Sequence, residues 1–170
     1  MTASPPRLPW GRNNELFREF LTQGFKYQRF VGDFFLAQGL DVQMPRQRFR
    51  KSVSAAVDFK DEPDLVVNGK VIEVKSRNLE FFRTLDLPGT VLIDTTESWD
   101  SKVTKPFAYL IVSQKTGVMV WTQGADRTKW AVVKTHDRKR GIDIGCYAAR
   151  RFEFASIPSL VSALRESGAP

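Results

Sequence analysis

The run DEPDLVVNGKVIEVKSRN, Asp61–Asn78, turns back on itself at Asn68-Gly69. An Asn-Gly pair supplies the two positive φ values of a tight hairpin turn, so DLVV and KVIEVKSR are expected as paired antiparallel strands. In the second strand Ile72 and Val74 share one face and Glu73 and Lys75 share the other, because side chains alternate along a strand. Acids and a lysine inside so apolar a segment cost free energy unless something binds them. The turn also brings Asp64, at the start of the first strand, toward Glu73 at the sheet's end. Two carboxylates placed together raise each other's pKa unless a cation lies between them. Mg²⁺ suits such a site, since it takes oxygen ligands and keeps several waters, and the Val74 carbonyl offers a third donor. Lys75, beside that cation, would orient or deprotonate an attacking water and stabilise negative charge developing on a phosphate.

Upstream, RNNELFREFLTQ places Leu16, Phe17, Phe20 and Leu21 at helical spacing. A second apolar stripe, Tyr27, Phe30, Val31, Phe34 and Phe35, predicts a helix over 26–38. Gly24 between them implies a helical hairpin or a helix broken there, and Gly39 is read as the C-terminal cap. LDVQMP then reads as a short strand, RQRFRKSV as an arginine-rich strand and AAVDF as another. Downstream, TVLIDT (90–95), FAYLIVSQ, VMVW, WAVVKT and CYAARRFEF read as strands, with a short helix or loop over 97–105. Pro158 near the first turn of SLVSALRES marks a final helix. Helices, then strands, then a helix predict an α/β (α+β) domain on a mixed sheet with flanking helices on both sides. Pro5, Pro6 and Pro9 suggest a flexible arm over 1–11 before a single domain at 12–170.

The 170 residues carry 26 Lys and Arg against 19 Asp and Glu, a net charge of +7 that favours a polyanionic partner, nucleic acid first. The one cysteine, Cys146, has no partner within the chain and fits a reducing, cytoplasmic setting. The opening residues lack the apolar run of a secretory signal, and no segment is apolar for long enough to predict a membrane span. The sequence contains no Walker-type phosphate loop, no zinc-finger spacing and no helix-turn-helix signature, which sets aside an ATP motor and the common DNA-reading modules.

Pro63-Asp64, nine residues, then Glu73-Val74-Lys75 resembles the PD-(D/E)XK nuclease superfamily, which includes restriction endonucleases, Holliday-junction resolvases and RecB-type nucleases. The resemblance covers roughly residues 24–95. It implies a restriction-endonuclease-like core, a central mixed sheet flanked by helices with the catalytic hairpin at its heart. It also implies Asp64 and Glu73 as Mg²⁺ ligands, with Mn²⁺ as a substitute, and Lys75 as the catalytic lysine. Many members add an acid on the preceding helix, about eleven positions before a glycine. Counting back from Gly39 reaches Gln28, an uncharged residue that shares a helix face with Val31 and Phe35. Gln28 ranks first for this fourth position, Glu19 second and Asp33 third. Asp58 and Asp61 are weaker helpers.

DNA contacts are expected from Arg46, Arg48, Arg50 and Lys51, from Arg138, Lys139 and Arg140, and from Arg77, which follows Lys75 on the same face. Lys102 and Lys105 would line the same groove. Trp99, in the polar run TTESWDSK, is read as a platform for an exposed base, and Trp121 and Trp130 as core. His136, the only histidine, reads as a surface residue ahead of any catalytic part. The leading reading is a Mg²⁺-dependent DNA endonuclease acting on a junction, a flap or a sequence-specific site. Two sites for two strands would make it a homodimer. The alternatives are a catalytically inactive DNA-binding module on a nuclease fold and a structural DNA-interaction protein of a phage or mobile element.

Overall fold

The computed structural model of the chain describes residues 10–45, 62–137 and 141–167. The arginine-rich run 46–51, the expected strand AAVDF, Asp58, Asp61, the loop 138–140 and residues 1–9 of the expected arm lie outside the described residues.

Helix α1 (Trp10–Ala37) runs unbroken for 28 residues, so the two expected helices are one. A β-carbon placed at Gly24 would meet nothing within 4 Å, so that glycine is not required by close packing. One glycine costs a helix interior about 1 kcal/mol, which the burial of Val31 and Phe35 further along outweighs. The helix stops at Gly39, whose φ of 75° is left-handed. There the Leu40 N–H donates to the Phe35 carbonyl and the Gly39 N–H to that of Leu36, a Schellman closure.

Strands β1 (Val42–Gln43), β2 (Leu65–Val67) and β3 (Lys70–Arg77) follow. β2 and β3 form the expected hairpin, with Leu65 opposite Ile72 and Val67 opposite Lys70. Asn68 (φ 45°) and Gly69 (φ 75°) supply its turn. The chain then builds β4 (Thr90–Thr95), α2 (Thr96–Ser101), β5 (Ala108–Ser113), β6 (Met119–Gln123), β7 (Ala131–Asp137), β8 (Ile142–Arg150), β9 (Ala155–Ser156) and α3 (Ile157–Ser167).

These strands form two sheets, giving a mixed α/β fold. The larger has the order β1-β2-β3-β5-β6-β9 and the smaller β4-β8-β7. β3 and β5 are parallel while their outer neighbours are antiparallel, so the large sheet is mixed, as expected. Its two faces are covered differently. Ile72, Val74, Leu110 and Val112 pack against Val31 and Phe35 of α1 and Leu160 and Leu164 of α3. On the other face, Tyr109, Ile111 and Val120 meet Val91 and Ile93 of β4, Trp99 of α2 and Tyr147 of β8. The expected long helices cover one face, while the other is covered by the smaller sheet together with the short helix α2. TVLIDT is a strand as expected, but it is half-buried, with Val91, Ile93 and Asp94 inward and Leu92 exposed, and it belongs to a second sheet. Among the described residues no helix is long and apolar enough to cross a membrane.

Candidate active site

Asp64 sits in the bend just before β2, where hairpin pairing ends. Its Oδ2 accepts the Val74 N–H at 2.8 Å, taking the place of a missing β2 carbonyl. N–H and C=O of one strand residue point to the same side. The Phe107 N–H bonds the Val71 carbonyl and the Gln114 N–H bonds that of Arg77, so odd-numbered residues of β3 turn their backbone to β5. The Val74 carbonyl therefore faces the Asp64 edge. Gln28, one helical turn before the buried Val31 on α1, donates from Nε2 to Asp64 Oδ1 at 2.6 Å. Turning the amide over would offer its oxygen to the same place. Removal from water, and then the charge of Glu73, raise the Asp64 carboxyl to about 7, against the opposing pull of Lys75, the Val74 N–H and Lys102.

Glu73 is only 4% exposed and is bracketed by two ammonium groups. Lys75 Nζ lies 3.3 Å from its Oε2 and Lys102 Nζ 3.2 Å from its Oε1. Lys102 is the residue that caps the C-terminal end of α2. It was expected on a DNA groove and instead reaches inward to the hairpin. A cavity of about 100 Å³ lined by Glu62, Pro63, Val71, Glu73, Lys102 and Thr104 opens beside the pair.

Lys75 also lies 3.8 Å from Asp94 Oδ1. Burial works against its charged form, but Glu73, Asp94 and Asp64 outweigh that and hold its pKa above the usual ammonium range. Asp94, at the end of β4, is 8% exposed and escaped the sequence reading. The one signal was an acid directly after the apolar run Val91-Leu92-Ile93. Its Oδ2 accepts the Tyr109 hydroxyl at 2.8 Å and the Ser98 hydroxyl at 3.1 Å, and its Oδ1 accepts the Thr95 N–H at 2.9 Å.

Other expected residues are placed elsewhere. Asp33 is exposed and lies 3.9 Å from Arg29 on α1, and Glu19 is exposed on the same helix. Arg77, expected as a DNA contact, is engaged within the fold. Its Nη2 donates to the Leu92 and Ile93 carbonyls of β4 at 3.2 and 3.4 Å, tying the two sheets together. Trp99 is no stacking platform for an exposed base. It is 6% exposed and packs edge-on to Trp130 and Tyr147, because its helix lies against the smaller sheet. Trp130 is core as expected, and Trp121 is partly buried against the helical side. Lys105 donates to the Trp99 and Asp100 carbonyls at the end of α2. His136 is exposed on β7, 2.8 Å from Asp143 on β8.

Among the described residues no group of three or more His, Cys, Asp or Glu converges on a metal position. The donors at the hairpin are the Asp64 and Glu73 carboxylates, the Val74 carbonyl and the Gln28 amide. All are hard oxygen donors, a set that fits Mg²⁺ with water completing the shell. No protein-family model matches the chain, and no curated protein matches it either.

Proposed function

We propose that the chain is a Mg²⁺-dependent DNA endonuclease of the PD-(D/E)XK type, built on a restriction-endonuclease-like core. The observation that carries this reading is the convergence of Gln28, Asp64, the Val74 backbone, Glu73 and Lys75 at one edge of a mixed sheet. The net charge of +7 supports a nucleic-acid substrate. Asp64, Glu73 and the Val74 carbonyl would hold the cation, with Gln28 steadying Asp64. When bound, Mg²⁺ would supply Lewis-acid neutralisation of the phosphate's developing charge. Lys75 stays an ammonium between its carboxylates, which favours orienting the attacking water and stabilising negative charge over accepting the water's proton. Arg46, Arg48, Arg50 and Lys51 precede the hairpin in sequence and would contact the phosphate backbone.

A DNA-binding module without catalysis is favoured by one observation. Both Glu73 oxygens face lysines, so a cation must displace Lys102 or share Glu73 with it. One experiment separates the two readings. Wild type, Asp64→Ala and Lys75→Ala are incubated with supercoiled plasmid, single strands, a flap and a four-way junction in Mg²⁺ and in Mn²⁺. The endonuclease reading expects wild type to cut at least one substrate and both variants to lose most of that activity. Binding without cleavage across the panel supports the module.

A further inference from the structure

The reading above gives Lys75 a role but leaves open what keeps its amine in place. A lysine stem is flexible, and Glu73 is an unreliable anchor because the same carboxylate would be drawn to a cation. Asp94 is held independently of the hairpin. It belongs to the smaller sheet, and its donors come from three positions: Tyr109 on β5, Ser98 on α2, and the backbone of Thr95. Thr95 is itself fixed, since its side chain caps α2 by accepting the Ser98 N–H. Three donors thus hold the Asp94 carboxylate, and its Oδ1 lies 3.8 Å from Lys75 Nζ. The Tyr109 ring lies 5.9 Å from the same ammonium. A buried carboxylate is costly unless it is hydrogen-bonded and paired, and this one is both.

We infer that Asp94, locked by Tyr109 and Ser98, is the positioning residue of Lys75: it holds the amine at the hairpin edge when Glu73 is engaged elsewhere. The inference rests on the endonuclease reading for its consequence, but not for its geometry. It makes two demands. Asp94 must act on the reaction through Lys75, and the two must be coupled in the protein itself.

The test is a double-mutant cycle read in two ways. In single-turnover cleavage with Mn²⁺, Asp94→Asn is expected to lower the rate by about tenfold to a hundredfold, the range seen when supporting hydrogen-bond partners are removed. DNA affinity and calorimetrically measured Mn²⁺ affinity should stay within about twofold, the change of a site left intact. In a Lys75→Ala background the same substitution should have little further effect, because its target is gone. Tyr109→Phe should give a smaller loss in the same direction, which keeps the test valid should Asp94→Asn fold poorly. Equal loss in both Lys75 backgrounds would make Asp94 merely structural and overturn the inference while leaving the endonuclease reading intact. The second readout needs no activity. In urea unfolding, Asp94→Asn and Lys75→Met should be non-additive by about fivefold or more in the unfolding equilibrium constant. If wild type cuts no substrate, the endonuclease reading falls, and this cycle alone decides whether Asp94 holds Lys75. Additive losses would refute the link.

Discussion

Strand β3 looks out on two different interiors. Toward α1 and α3, Ile72 and Val74 pack in a hydrophobic cluster with Val31, Phe35, Leu160 and Leu164, all fully buried. Toward the smaller sheet, the alternating residues Glu73 and Lys75 meet Asp94, Tyr109 and Lys102 beside a mixed aliphatic and aromatic layer. The first face is held by contact area and tolerates any apolar residue of similar volume. The second is held by matched charges, where each group is tolerable only while its partner is present. A single strand with alternating side chains can therefore serve as the floor of a core and the wall of a candidate catalytic site.

That contrast sets the expected sizes of mutational effects. Phe35→Ala on the helical face should cost about 3–5 kcal/mol in urea unfolding, through lost transfer free energy and an unfilled cavity. A loss under about 1 kcal/mol would mean that the helix is not packed as described. Glu73→Gln on the other face keeps the shape but leaves two lysines facing a neutral amide. It should cost about 3 kcal/mol, the usual result of removing one member of a buried ion pair. If it stabilised the protein, the charges would not be matched.

The third expectation concerns pH in metal-free buffer. Asp64 binds its proton more tightly in the fold than in the unfolded chain, with a pKa of about 7 against 3.8. This contribution to stability is fully present below the unfolded pKa and is lost as pH rises through the folded one. Stability should fall over that window, and Asp64→Asn should flatten the fall. A wild-type curve that rises through the same window, with Asp64→Asn removing the rise, would contradict the direction. A smaller effect is expected at Lys102. Replacing it with Met removes a competitor for Glu73 Oε1 and should tighten Mn²⁺ binding about fivefold, on the order of 1 kcal/mol for a partly buried pair. Calorimetric titration giving unchanged or weaker binding would show that Lys102 and the cation do not compete. The smallest effect returns to the helical face. Gly24→Ala, with open space around the new methyl, should stabilise α1 by up to about 1 kcal/mol, read as a raised thermal midpoint.

Local features were legible from the residues themselves. The Asn68-Gly69 turn, the alternation of Ile72 and Val74 against Glu73 and Lys75, the Gly39 stop and Pro158 near the start of α3 each act over a few residues. Gln28 was reached through the resemblance, by counting back from Gly39, and helix periodicity then puts it on the face of Val31 and Phe35. Gly24 misled for the same reason that it is tolerated: propensity is a weak local bias, and tertiary packing along α1 overrides it.

The sequence by itself determined the hairpin, its charged face and the helix that meets it, since turn chemistry and side-chain periodicity are short-range. Only the tertiary structure decided that TVLIDT leaves the large sheet to start a second one. It also turned Lys102 inward to Glu73, buried Trp99 and tied Arg77 to the backbone of β4. Asp94 belongs to this second group. It stands 19 positions after Lys75 in the chain, and only the packing of one sheet on another brings its carboxylate to the amine. Which charges are paired in an interior depends on contacts between distant segments, and no local pattern encodes them.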